Sequence, residues 1–123
     1  MKKSILIVDD FTNTLFVTGF TLEMAGYAVL KASSGLEALK ILKSDASVDL
    51  IISDYNMPNM NGIELISEIK KIANHRQTPI FILSTETNEK IKSSAYELGI
   101  TGWIPKPFKS EKLIEYIKRA IGN

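Results

Sequence analysis

Apolar residues along the chain gather into short runs, separated by longer stretches in which they recur every three or four positions. Four runs stand out: Ile5-Leu6-Ile7-Val8, Val48-Asp49-Leu50-Ile51-Ile52, Pro79-Ile80-Phe81-Ile82-Leu83 and Trp103-Ile104, with a weaker one from Tyr27 to Lys31. Short runs rich in Ile, Val and Phe fit strands buried on both faces. The stretches between them carry helical spacing. Leu36, Leu39, Ile41 and Leu42 lie near one face behind Ser34, and Glu37 completes a capping-box pattern with that serine. Ile63, Leu65, Ile66, Ile69, Ile72 and Ala73 group together, as do Leu113, Ile114, Ile117, Ala120 and Ile121 behind Ser110 as N-cap. Gly26 and Gly99 each follow a periodic segment, where a helix C-terminal glycine is expected. The pattern predicts β1 over 4–9, α1 over 12–25, β2 over 27–32, α2 over 35–44 and β3 over 48–53. It continues with α3 over 61–74, β4 over 79–84, α4 over 88–98, β5 over 101–105 and α5 over 110–121. Such alternation implies a parallel sheet with helices on both faces.

Composition narrows the class. The chain has 123 residues, 45% of them hydrophobic and 24% charged, an ordinary globular mixture that fits one domain over 1–123. No apolar run approaches the roughly 18 residues of a membrane span, and Ile5 to Val8 is too short for a secretory signal. Cysteine is absent, which excludes disulfides and thiolate metal sites and fits a reducing cytoplasm. The net charge of +1 argues against a nucleic-acid-binding module. Its distribution says more: all five aspartates lie within the first 54 residues, and ten of the fifteen Lys and Arg lie after residue 60.

In an open α/β sheet, ligands bind beyond the carboxyl ends of the strands. Asp9 and Asp10 follow β1, Asp54 follows β3, Ser84, Thr85 and Glu86 close β4 and follow it, and Lys106 follows β5. Taken singly, an aspartate after a strand is most often a turn or cap residue, and Lys106 would be solvated surface. Together they bring three carboxylates, hydroxyls and an ammonium to one edge. Clustered carboxylates repel unless a positive charge joins them, and a hard cation with oxygen ligands, Mg²⁺, answers that. Carboxylate, Mg²⁺, hydroxyl and ammonium are the parts of phosphoryl transfer by positioning and charge neutralisation, with one carboxylate as nucleophile.

The same residues resemble the receiver domain of bacterial two-component response regulators, over essentially the whole chain. The carriers are Val8-Asp9-Asp10-Phe11, the stretch from Ser53-Asp54-Tyr55-Asn56 through Met57-Pro58-Asn59-Met60-Asn61-Gly62, Ser84, and Lys106-Pro107-Phe108. The stretch around Asp54 is most similar to the stand-alone chemotaxis members of that family. The resemblance implies a flavodoxin-like, doubly wound five-stranded parallel sheet of order 2-1-3-4-5 with five helices, and no effector domain. Asp54 would accept a phosphoryl group from a sensor histidine kinase or phosphotransfer protein. Asp10, Asp54 and the Asn56 carbonyl would ligate Mg²⁺, Asp9 would act through water, Lys106 would pair with the phosphoryl group, and Ser84 would bond one of its oxygens. The Lys106–Pro107 bond would be cis, and Pro58 and Gly62 would shape the loop after β3. The chain would catalyse only its own phosphorylation and dephosphorylation.

The chain departs from the family at two positions. Trp103 stands where Tyr or Phe is usual, the aromatic of the switch; it either swings with Ser84 or stays packed. Thr85 replaces the common small residue and lines the approach to the phosphate, while Asn56 and Glu86 occupy positions from which a polar group orients attacking water. α1 has Glu23 as its one charge between Phe11 and Gly26, and its Phe16, Phe20, Met24 stripe is either core or a docking face for the phosphodonor. The face of α4, β5 and α5 mixes Lys90, Lys92, Lys109, Lys112, Lys118 and Arg119 with four glutamates. In the family it meets the output partner, in a monomer or weak dimer. His75, the one histidine, is expected at the surface. Two other classes stay open: a receiver-shaped interaction module without phosphorylation, and a small Mg²⁺-dependent phosphatase using an aspartyl phosphate.

Overall fold

The computed structural model describes residues 2–122. Five strands, β1 (Ser4–Val8), β2 (Ala28–Ala32), β3 (Leu50–Asp54), β4 (Ile80–Ser84) and β5 (Gly102–Pro105), form one sheet in the order β2-β1-β3-β4-β5. All four pairings are parallel, with Ile7 opposite Ile52, Asp54 opposite Leu83 and Ser84 opposite Pro105. The helices are α1 (Thr12–Met24), α2 (Gly35–Lys43), α3 (Gly62–Ile69), α4 (Glu89–Glu97) and α5 (Ser110–Ile121). This is the flavodoxin-like, doubly wound arrangement expected.

Side chains alternate along each strand, so the sheet feeds two cores. Leu6, Val8, Ile51, Ile80, Ile82 and Trp103 pack with α2, α3 and α4. Ile5, Ile7, Leu50, Ile52, Phe81 and Ile104 pack with α1 and α5. Central strands buried on both faces explain why β3 and β4 read as continuous apolar runs.

The helix ends show where local chemistry departed from the pattern. Ser34 accepts the Glu37 N–H, but the Glu37 carboxylate returns to the Ser33 N–H and hydroxyl rather than to Ser34. The complete capping box sits at α3, where Asn61 and Glu64 exchange bonds of 2.9 Å each. Lys109, not Ser110, is the N-cap of α5, and it makes no side-chain cap bond. α3 ends at Ile69 rather than at residue 74. The Lys71 and Ile72 N–H groups reach back three residues to Glu68 and Ile69, and Ile72 then turns extended (φ −85°, ψ 114°) before a 3-10 turn over Ala73–His75. The apolar spacing continues through Ile72, which packs on the core from outside the helix. His75, expected at the surface, is buried, with its Nδ1 3.0 Å from the Thr78 hydroxyl. Gly26 and Gly99 take positive φ of 99° and 95°, as helix C-terminal glycines do.

Candidate functional site

The carboxyl ends of β1, β3 and β5 meet at one edge of the sheet. β1 runs directly into Asp9 and Asp10, β3 ends on Asp54, and Lys106 follows β5. Ligand atoms of Asp9, Asp10 and Asp54 all lie within 4.8 Å of one another. Lys106 Nζ stands 3.3 Å from Asp54 Oδ1 and 3.9 Å from Asp9 Oδ2. Lys106 is placed by its backbone as well, since its N–H donates to the Ser84 carbonyl at 2.9 Å. The Lys106–Pro107 peptide is cis, as expected.

Asp9 and Asp54 are buried and Asp10 is half-buried. Burial pushes the Asp9 carboxyl above its ordinary value; the Phe11 N–H bond to Oδ1 at 2.9 Å and Lys106 pull it down, while Asp54 and Asp10 push it up. Among the described residues Asp10 Oδ1 is buried without a hydrogen-bond partner. Three carboxylates, one lysine and an orphaned buried oxygen are an oxygen-rich donor set with surplus negative charge. That set fits a hard divalent cation.

The loop after β3 is tied closely to Asp54. Tyr55 N–H donates to the Leu83 carbonyl at 3.2 Å, and Gly62 N–H donates to the Tyr55 carbonyl at 2.8 Å. A Cβ on Gly62 would stand 3.0 Å from Tyr55 Cα and 3.1 Å from the Asp54 carbonyl oxygen, so any side chain here crowds the backbone that carries Asp54. Asn59, with φ 69°, turns the chain after Pro58. Asn56 is exposed in this loop.

The β4 end carries a second network. Ser84 is buried and its hydroxyl accepts the Glu86 N–H at 2.9 Å. Among the described residues no hydrogen bond joins it to Asp54. Thr85 is exposed and Glu86 half-buried. Glu86 Oε2 accepts the Thr87 and Asn88 N–H groups at 3.1 and 2.9 Å.

Trp103 is 8% exposed and lies inward, its ring centroid 5.5 Å from that of Tyr55. Its indole Nε1 has no partner among the described residues, and its backbone N–H donates to the Tyr96 hydroxyl at 3.0 Å. Tyr55 and Tyr96 were not singled out by the sequence. Tyr55 directly follows Asp54, a placement that was legible; Tyr96 has no signal beyond being a tyrosine on α4.

α1 settles one open choice. Leu15, Thr18, Gly19 and Leu22 face the sheet, while Phe16, Val17, Phe20 and Met24, with Phe11 before them, are 54–73% exposed. The apolar stripe is therefore surface, not core. Lys31 of the edge strand β2 lies against Gly19 and holds its ammonium 5.5 Å from the Phe16 ring centroid. Among the described residues no helix is long and apolar enough to cross a membrane.

Residues 5–118 match the family model of the response regulator receiver domain. The chain is 32% identical to the chemotaxis protein CheY1 of Helicobacter pylori over 120 residues, 97% of each chain. It is 36% identical over 114 residues to the transcriptional regulatory protein CpxR of Klebsiella pneumoniae, which covers 93% of this chain and 47% of that one. Among solved structures it resembles the chemotaxis response regulator CheY4 of Vibrio cholerae, with a TM-score of 0.90, 38% identity and coverage of 98% and 99%. The chain belongs to the response regulator receiver family, the signalling modules of two-component systems.

Proposed function

We propose that the chain is a phosphorylation-operated switch in which Asp54 takes a phosphoryl group from the phosphohistidine of a sensor kinase or phosphotransfer protein. The observation that carries this reading is Lys106 Nζ 3.3 Å from Asp54 Oδ1 inside a three-carboxylate cluster. An Asp54 carboxylate oxygen attacks phosphorus, the P–N bond breaks with its electron pair going to the imidazole, and an acyl phosphate forms. Lys106 would meet the charge on the phosphoryl oxygens, and the Ser84 hydroxyl would donate to one of them. Asp10, Asp54 and the Asn56 carbonyl would hold Mg²⁺, with Asp9 acting through water; the ion would offset carboxylate repulsion and polarise the phosphoryl group.

The exposed apolar face of α1, beside the acidic edge, serves as the docking face for the phosphodonor helices. Output passes by protein contact through α4, β5 and α5, in the cytoplasm and without nucleic acid, in a monomer or weak dimer. The likeness to single-domain chemotaxis proteins supports chemotaxis as the pathway. Trp103, lodged against Tyr55, reports the state of the site. Thr85 narrows the approach to the acyl phosphate, and Asn56 stands where it orients attacking water. The chain catalyses only its own phosphorylation and dephosphorylation.

The test is a titration with Mg²⁺ and then with the phosphoryl mimic beryllofluoride, following Trp103, the only tryptophan. A saturable, Mg²⁺-dependent change lost in Asp54→Asn is expected. Binding that persists in Asp54→Asn would remove Asp54 from the acceptor role, and no binding to the parent chain would leave a receiver-shaped interaction module.

A further inference from the structure

From the β4 hydroxyl to the first turn of α4, three polar side chains hold the backbone in series. Ser84 Oγ accepts the Glu86 N–H at 2.9 Å. Glu86 Oε2 accepts the N–H groups of Thr87 at 3.1 Å and Asn88 at 2.9 Å. Asn88 Oδ1 accepts those of Lys90 at 2.9 Å and Ile91 at 3.2 Å, capping α4. The middle link joins one carboxylate to two backbone donors, which makes it the strongest of the three. It also fixes where the Glu86 backbone points, because both bonded N–H groups lie within two residues of that N–H. The Ser84 hydroxyl makes no bond to Asp54 and is engaged by the Glu86 N–H instead. A rotated hydroxyl abandons the Glu86 N–H, and a rigidly held loop cannot follow it.

We propose that Glu86 is a positioning residue that latches Ser84 in its resting orientation. Its carboxylate pins Thr87 and Asn88, the pinned loop directs the Glu86 N–H at Ser84 Oγ, and the hydroxyl is thereby held off the acceptor site. This rests on phosphoryl acceptance at Asp54 and adds a gate to it. In the resting form the Glu86 carboxylate is engaged with the loop. Phosphorylation has to open the latch, so removing it favours the phosphorylated arrangement at the expense of the resting one.

The experiment is a beryllofluoride titration in saturating Mg²⁺ on the parent chain, Glu86→Ala, Glu86→Gln and Asp54→Asn. It is read by the backbone amide resonances of Glu86, Thr87 and Asn88 and by the half-saturation concentration. Glu86→Ala is expected to half-saturate at roughly five- to tenfold lower concentration, a difference of about 1–1.4 kcal/mol at 25 °C. Glu86→Gln keeps an acceptor oxygen and is expected to return most of the way to the parent value. If the carboxylate merely stabilises α4, Glu86→Ala would lower the melting temperature without tightening binding. Equal or weaker binding by Glu86→Ala would overturn the latch while leaving Asp54 as acceptor. A parent chain that fails to bind, like Asp54→Asn, would overturn the acceptor reading and the latch with it.

Discussion

Neutralising Asp10 should stabilise the ion-free chain and cost it most of its response to Mg²⁺. Its carboxylate has two like-charged neighbours with ligand atoms within 4.8 Å and a buried oxygen without a hydrogen-bond partner among the described residues. At that separation each like-charge pair costs about 3.5 kcal/mol at an effective dielectric of about 20, and about 0.9 kcal/mol in bulk water. Asp10 is half-buried, and Lys106 offsets part of the cluster's charge. The net relief in Asp10→Asn is then about 1–2 kcal/mol. Unfolding entropy of about 2.1 cal/mol/K per residue amounts to about 260 cal/mol/K over 123 residues, so each kcal/mol moves Tm by about 4 °C. Differential scanning calorimetry in EDTA should show Asp10→Asn melting about 4–8 °C above the parent. Adding Mg²⁺ should raise the parent and close the gap, because an ion bound only by the folded chain stabilises it. A variant no more stable than the parent in EDTA, or one that gains as much from Mg²⁺, would refute a repulsive cluster built to hold a cation.

Other outcomes follow from particular contacts. Burial raises the Asp9 carboxyl above 3.8, so the folded ion-free chain holds that proton more tightly than the unfolded one. Its contribution to stability is full below about pH 3.8 and is lost as pH rises through the raised folded value; the advantage of Asp9→Asn in urea titrations should therefore grow from pH 4 to pH 7 in EDTA. Gly62→Ala should cost about 1–3 kcal/mol by urea unfolding and weaken Mg²⁺ binding, since the added methyl meets the Asp54–Tyr55 backbone. Phe16→Ser with Phe20→Ser should slow phosphotransfer from a phosphohistidine donor at least tenfold while leaving acetyl-phosphate labelling unchanged, as both side chains are exposed. Thr85→Ala should speed acetyl-phosphate labelling several-fold; an unchanged rate would free the approach to Asp54 of any control by that side chain.

Much of the fold was legible because burial leaves a periodic trace. β3 and β4 are covered on both faces, so Leu50 to Ile52 and Ile80 to Leu83 are uniformly apolar, and the acidic pair, Asp54, Ser84 and Lys106 sit where those runs stop. Helix ends were harder, since they depend on backbone choices that periodicity does not record. Ile72 keeps the α3 spacing but packs on the core after the helix has ended, and Ser110 has the chemistry of an N-cap while Lys109 holds the position. Exposure of α1 was undecided because its outer face is as apolar as its inner one: Gly19 and Thr18 are buried while Phe16 and Phe20 are not. His75 is buried against Thr78 by a loop fold that a lone histidine does not announce. The Tyr96 bond to the Trp103 N–H joins α4 to the outer strand across a distance that only the tertiary structure closes.

The most direct measurement is the site of covalent labelling. The chain is incubated with acetyl phosphate and Mg²⁺, the acyl phosphate is reduced with borohydride to homoserine, and peptides are sequenced by mass spectrometry. Homoserine at position 54, in proportion to about one phosphoryl group per chain and absent without Mg²⁺, is the expected result. Homoserine at Asp9 or Asp10 instead, or none at all under conditions where a known receiver is labelled, would show that Asp54 is not the phosphoacceptor.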